Sequence, residues 1–149
     1  PSAANESQVL RLLREEEQAS VTQAVQGFTL AQEVIFAARQ EVSAIQVSPA
    51  IDRYLIDLIN ATRHPADYDP DLARWISLGA SPRGGIGLDR AARADAWLLG
   101  QTFVTPDNVR AVAHPVLRHR LQLSYDAVAD GVTADQVLDR LLEKVAIPA

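Results

Sequence analysis

The sequence predicts an all-α fold, a small helical bundle with at most a short two-stranded ribbon. Three observations carry that prediction. Apolar residues recur at three- and four-residue intervals in one segment after another, the spacing that lines them up on one face of a helix. Four of the eight prolines directly follow a serine, threonine or aspartate, at Ser48-Pro49, Asp69-Pro70, Ser81-Pro82 and Thr105-Pro106. The side-chain oxygen of such a residue accepts an orphan N–H of the first helical turn, and proline at the first helical position gives up a donor that has no partner there. Strand-like alternation is confined to scraps such as HRLQL, from His119 to Leu123.

The elements follow in order. A first helix is expected from about Glu6 to Gln18, with Val9, Leu10, Leu12 and Leu13 on its apolar side, ending in the acidic run Glu15, Glu16, Glu17, read as a solvated face. Ala19 to Gly27 turns small and polar, which suits a connection between two bodies. From about Leu30 to Ala44 the residues Ala31, Ile35, Ala38, Val42 and Ile45 are spaced 4, 3, 4, 3, predicting one buried stripe. After Ser48-Pro49 a helix carries Ile51, Leu55, Leu58, Ile59 and Thr62 on one face, and His64-Pro65 stops it near Arg63.

A short helix after Asp69-Pro70 carries Leu72, Trp75, Ile76 and Leu78, with Gly79 expected as its left-handed cap. The helix opened by Ser81-Pro82 reaches Leu99 and closes at Gly100, with Leu88, Ala91, Ala92, Leu98 and Leu99 as candidate core. Thr105-Pro106 opens a helix to about Ala113, and Phe103-Val104 is expected to pair with His119–Leu123 as the ribbon. The last helix, from Thr133 to about Val145, buries Val137, Leu138, Leu141, Leu142 and Val145.

Composition excludes several function classes. A chain of 149 residues fits one domain, with room for an additional arm, and an apolar fraction of 48% is ordinary for a globular protein. With no cysteine there are no disulfides and no thiolate zinc sites. No apolar run approaches the ~18 residues of a membrane span and no signal peptide opens the chain, so no membrane partner and a cytoplasmic setting are expected. A formal charge of −5 argues against a nucleic-acid partner, as does the lack of a basic recognition helix. The chain contains no methionine, which suggests a fragment of a longer protein. Its only lysine is Lys144, in the last turn of the final predicted helix, so no loop of the form G-x-x-x-x-G-K-[ST] can be drawn.

Candidate chemistry is sparse. His114 and His119 lie five apart with Pro115 between them and no acidic residue at ligand spacing, and His64 stands alone, so a structural or surface role outweighs a metal site. No serine sits in a nucleophile elbow, and no histidine–carboxylate pair is visible locally. Asp67, Asp69 and Asp71 read as a turn plus a helix cap.

One constellation stands apart: Gly79-Ala80-Ser81-Pro82-Arg83, running straight into a helix. A helix N-terminus carries free N–H groups and a partial positive charge, which disfavours an arginine in its first turn. Two readings fit. Arg83 reaches outward to something negative, with a phosphate matching its guanidinium fork, or it is an exposed arginine tolerating a penalty of roughly a few tenths of a kcal/mol.

The residues also resemble a family. GASPR, then RAARADAWLLG from Arg90 to Gly100, then FVTPDNVRAVAHPVLRHRL from Phe103 to Leu121, resemble the C-terminal region of MoxR-family AAA+ ATPases. The upstream YLIDLINATRHP, Tyr54 to Pro65, is similar to the family's helix ending in a threonine–arginine pair, and the likeness runs from about Leu30 to Ile147. PSAANESQVLRLLREEE resembles the segment just after the ATPase core. The resemblance implies a helical lid of AAA+ type over residues 29–149, with residues 1–28 as the end of the core and a connecting segment. It implies that Arg83 is a sensor 2 arginine approaching the γ-phosphate, with Ser81 and Pro82 as the helix start that positions it. ATP and Mg would be held mainly by the absent core domain. Expected partners are that core, neighbouring subunits of a hexameric ring, and proteins with von Willebrand factor A-type domains. The parent would be a chaperone-like remodelling ATPase, and this fragment, lacking the Walker motifs, would be inactive alone. One departure is GGIGL after Arg83, where the family more often places alanine, serine or threonine; Gly84, Gly85 and Gly87 each weaken a helix by about 1 kcal/mol relative to alanine. From a different class, a stand-alone helical adaptor that never meets a nucleotide fits the same composition.

Overall fold

The computed structural model describes residues 3–18 and 29–147. The chain divides into two units, Pro1–Ile35 and Phe36–Ala149. The first contains α1 (Ala3–Gln18), on which Arg11 Nε donates to Glu15 at 2.8 Å along an i, i+4 step. Val9, Leu10, Leu12 and Leu13 are exposed in it. The expected connection from Ala19 to Gly27 and the side chains of Glu16 and Glu17 lie outside the described residues. Helix α2 (Gln32–Ala44) begins in the first unit and ends in the second.

The second unit is a helical bundle: α3 (Pro49–Arg63), a 3-10 turn, α4 (Pro70–Trp75), β1 (Ile76–Leu78), α5 (Pro82–Leu98), α6 (Pro106–Leu117), a second 3-10 turn, β2 (Gln122–Leu123), α7 (Tyr125–Ala129) and α8 (Ala134–Lys144). The all-α class with a two-stranded ribbon holds. Three of the four helix starts before proline are capped by their side chains: Ser48 accepts from Ile51 N–H, Asp69 from Asp71 and Leu72, and Thr105 from Asn108. At Thr105 the cap is reciprocal, because Asn108 Oδ1 accepts the Thr105 N–H at 2.7 Å.

One core joins five helices, with Leu72 as the contribution of α4. From α3 come Ile51, Tyr54, Leu55, Leu58 and Ile59, from α5 Leu88, Ala92 and Ala96, from α6 Val109, Ala113 and Leu117, and from α8 Val137, Leu138, Leu141 and Leu142. The most extensive pairing is α5 with α6. Asn108, at the start of α6, donates to Asp95 near the end of α5 at 2.8 Å, while Leu117, at the end of α6, lies against Gly84 at the start of α5. The two helices are therefore antiparallel. Ala92 and Ala96 on α5 and Ala113 on α6 are all fully buried, and side chains this small let packed helices approach closely.

Several local expectations are corrected. The ribbon does not use Phe103-Val104. Gln122 and Leu123 pair instead with β1, Leu123 opposite Ile76 and Gln122 opposite Leu78. The Phe103 segment bridges to Gln46, whose N–H donates to Thr102 O and whose carbonyl accepts from Val104 N–H at 2.9 Å. Ile76 and Leu78 belong to a strand rather than to α4, since a short apolar run satisfies both periodicities and the pairing with Gln122 and Leu123 decides between them. Gly79 has no positive φ and is not a left-handed cap; among the described residues positive φ occurs at Gly100 and Gly131.

Helix α6 continues past Ala113 to Leu117, with Pro115 inside it. That proline forfeits one backbone bond close to the helix end, where the packing of the buried Leu117 and the bond from Arg118 N–H to His114 O keep the last turn formed. Leu98 and Leu99 are exposed, because the buried face of α5 follows the four-residue steps Leu88, Ala92, Ala96 and these two fall off it. In α2 nothing is fully buried. Ala31 and Ile35 are exposed, and the stripe is half-buried only at Ala38, Val42 and Ile45, near where Trp97 Nε1 donates to Glu41 at 2.8 Å.

Candidate functional site

The site grows from the last turn of α3 and the loop that leads into α5. Thr62 is fully buried. Its hydroxyl donates to the Ile59 carbonyl at 2.7 Å, a back-bond within the helix, and accepts the N–H of Ala80 at 2.9 Å. Arg63 Nε donates to the Ala80 carbonyl at 2.7 Å. The loop lies so close to α3 that a Cβ on Gly79 would fall 2.3 Å from the Thr62 carbonyl oxygen. Close approach, rather than a left-handed turn, is what requires glycine at this position.

From Ala80 the chain passes through Ser81 in an extended conformation (φ −72°, ψ 171°) to Pro82 at the first helical position. Ser81 occupies the N-cap, but its hydroxyl makes no capping bond, a correction to the expected cap. The Ser81 carbonyl accepts from Gly84 N–H at 2.8 Å, so the first turn closes through the backbone alone. Gly84 is buried in this turn, with room for a Cβ limited by Ile59, Ala80 and Leu117. The glycines that weaken the helix on intrinsic propensity thus let α5 sit close to α3 and α6, and the turn is helical.

Arg83 is exposed and forms no hydrogen bond or ion pair with any described residue. Its neighbours Pro82, Gly85 and Ile86 line one side of a groove of about 560 Å³ between α5 and α3, whose other wall includes Leu55, Ile56 and Ile59.

The other candidates are accounted for structurally. His114 Nε2 lies 3.0 Å from Asp139, a histidine–carboxylate pair invisible to local reading because its members sit on α6 and α8. His64 closes α3 and His119 lies exposed in the second 3-10 turn. Among the described residues no group of three or more His, Asp and Glu side chains is arranged to hold a metal, and no helix is long and apolar enough to cross a membrane.

Asp69 does cap a helix, as expected, and does more. It is 3% exposed and receives Arg140 Nη2 at 2.9 Å and Lys144 Nζ at 3.1 Å. Burial by itself would raise its pKa, but the bonds from Lys144, from the Leu72 and Asp71 amides and from Arg140 outweigh it and hold the carboxyl at about 2. The one lysine of the chain is thereby committed to a local carboxylate.

The architecture and the loop define a class: residues 72–141 match the AAA lid domain family. Among curated proteins the chain is similar to "Chaperone MoxR1" of Mycobacterium tuberculosis, 40% identical over 111 residues, covering 73% of this chain and 29% of that one. It is also similar to "Protein MoxR" of Paracoccus denitrificans, 41% identical over 114 residues, covering 72% of this chain and 33% of that one. A solved structure from Cytophaga hutchinsonii, assigned as an ATPase, superposes with a TM-score of 0.79 at 32% identity, over 95% of this chain and 43% of that one. The chain carries the C-terminal helical lid of a MoxR-family AAA+ ATPase. It spans about a third of the length of the curated relatives it matches.

Proposed function

We propose that this lid reads the γ-phosphate of ATP through Arg83, acting as a sensor 2 arginine for a nucleotide held with Mg by an AAA+ core. Residues 1–28 are the end of that core and its connection, and residues 29–149 are the lid. The supporting observation is the state of Arg83, a guanidinium in the first turn of a 17-residue helix, exposed and without a partner among the described residues. The helix dipole disfavours a cation there, and a phosphate brought by another domain removes the conflict. A charge-assisted bond of this kind contributes roughly 1.5–3 kcal/mol. Because the bond exists only while the γ-phosphate does, lid position differs between ATP and ADP states, which is the differential contact a nucleotide-driven switch requires.

The wider reading is a chaperone-like remodelling ATPase. Its lid meets neighbouring subunits of a hexameric ring, and its clients carry von Willebrand factor A-type domains. One relative is itself named a chaperone.

The test is Arg83→Ala in the protein that joins this lid to its core. The lid should fold unchanged, since the residue is exposed, and ATP turnover should fall at least about tenfold, equivalent to about 1.4 kcal/mol in the barrier. Turnover within about twofold of the original would sink the sensor assignment.

A further inference from the structure

Ala80 ends both of its backbone polar groups on the last turn of α3. Its N–H goes to the Thr62 hydroxyl and its carbonyl to Arg63 Nε, while its methyl is fully buried. Closing α3 does not need these bonds, because the His64 N–H already reaches Asn60 O at 2.8 Å. Their effect falls on the loop. Ser81 supplies no capping bond, so the start of α5 takes its position from Ala80 instead. Between that anchor and Arg83 stand only Ser81 and Pro82, and the proline ring fixes one of the intervening torsions. Arg83 makes no bond of its own among the described residues, so the origin and direction of its side chain are inherited from the anchored backbone.

We propose that Thr62 and Arg63 are positioning residues for Arg83: they fasten the loop three residues before it and thereby aim the guanidinium. The inference rests on the sensor reading of Arg83. Aim matters in such a role because a misplacement of about 1 Å at a reacting phosphate costs on the order of a hundredfold in rate.

A double-mutant cycle in the ATPase containing this lid tests the proposal. Arg63→Ala should lower ATP turnover about fivefold or more on its own, yet lower it no further when added to Arg83→Ala, since non-additivity marks residues that act through one another. Thr62→Val should reproduce the loss and Thr62→Ser, which keeps the hydroxyl, should retain the rate. Amide exchange gives a readout independent of activity: the Ala80 N–H should be protected in the original and in Thr62→Ser, and exchange faster in Thr62→Val. Equal losses from Arg63→Ala with and without Arg83 would overturn the proposal, as they would assign Arg63 a structural role or a contact of its own. Unchanged turnover in both Arg63→Ala and Thr62→Val, with Arg83→Ala impaired, would overturn it while leaving the sensor reading intact. An unimpaired Arg83→Ala single variant would remove the sensor reading, and with it the purpose of the clamp.

Discussion

Arg140 on α8 holds its Nη2 2.9 Å from Oδ2 of Asp69, the residue that caps α4, so one carboxylate serves both the start of one helix and the side of another. Asp69 accepts the Asp71 N–H at 2.9 Å and the Leu72 N–H at 3.2 Å through its other oxygen, Oδ1. The two oxygens thus divide the work, one ending the orphan donors of α4 and the other tying α4 to α8.

This arrangement makes stability depend on acid. The folded-state pKa of Asp69, about 2, lies below its ordinary 3.8, so the unfolded chain takes up the proton first. The stabilisation is fully present above that ordinary value and is lost as pH falls toward the folded one. Urea midpoints measured across this window should decline for the original chain, and Asp69→Asn should flatten that part of the decline while lowering the midpoint at neutral pH. A variant with the original's acid profile would refute the assignment.

Gly79→Ala should destabilise the lid, because the added Cβ would sit 2.3 Å from the Thr62 carbonyl oxygen and 2.8 Å from the Arg63 nitrogen, both backbone atoms that cannot turn aside. Overpacking of this kind costs about 1–3 kcal/mol. Chemical denaturation reads it directly, and a change below about 0.5 kcal/mol would mean that the loop shifts freely and is not tightly seated on α3.

Leu138→Ala and Ile86→Ala form a contrasting pair. Leu138 is fully buried in the core and its truncation should cost about 2–5 kcal/mol. Ile86 is exposed on the groove wall, and its truncation should stay within about 0.5 kcal/mol. A large loss at Ile86 would place that side chain in an interface that α3 and α5 do not provide.

The parts of this fold that were legible in the sequence are those in which one segment carries its own signal. The five core residues predicted for the last helix are all buried, four in α8 and Val145 just after it, and Thr133 closes a capping box with Gln136. The predicted face of α3 is buried as well, with Tyr54 and Ala61 added. What escaped is decided by partners far along the chain. Helix α7 has a capping Ser124 but buries only Ala127, with Tyr125 94% exposed, so it shows no stripe. Strand β1 is chosen over helix by a pairing with residues about 45 positions away. The loop of the candidate site was readable as GASPR, but its attachment was not: Thr62 and Arg63 find Ala80 across 18 and 17 residues, and a buried threonine at the end of a helix looks like any other core position.

Lysine chemistry, finally, has a single side-chain target in this chain. The Lys144 ammonium lies 3.1 Å from an almost fully buried carboxylate while its own side chain is 38% exposed, so an acylating reagent reaches the amine as soon as it leaves that carboxylate. The rate at which such a reagent labels Lys144 therefore reports how firmly that one ion pair is held, read at one residue without any engineered probe.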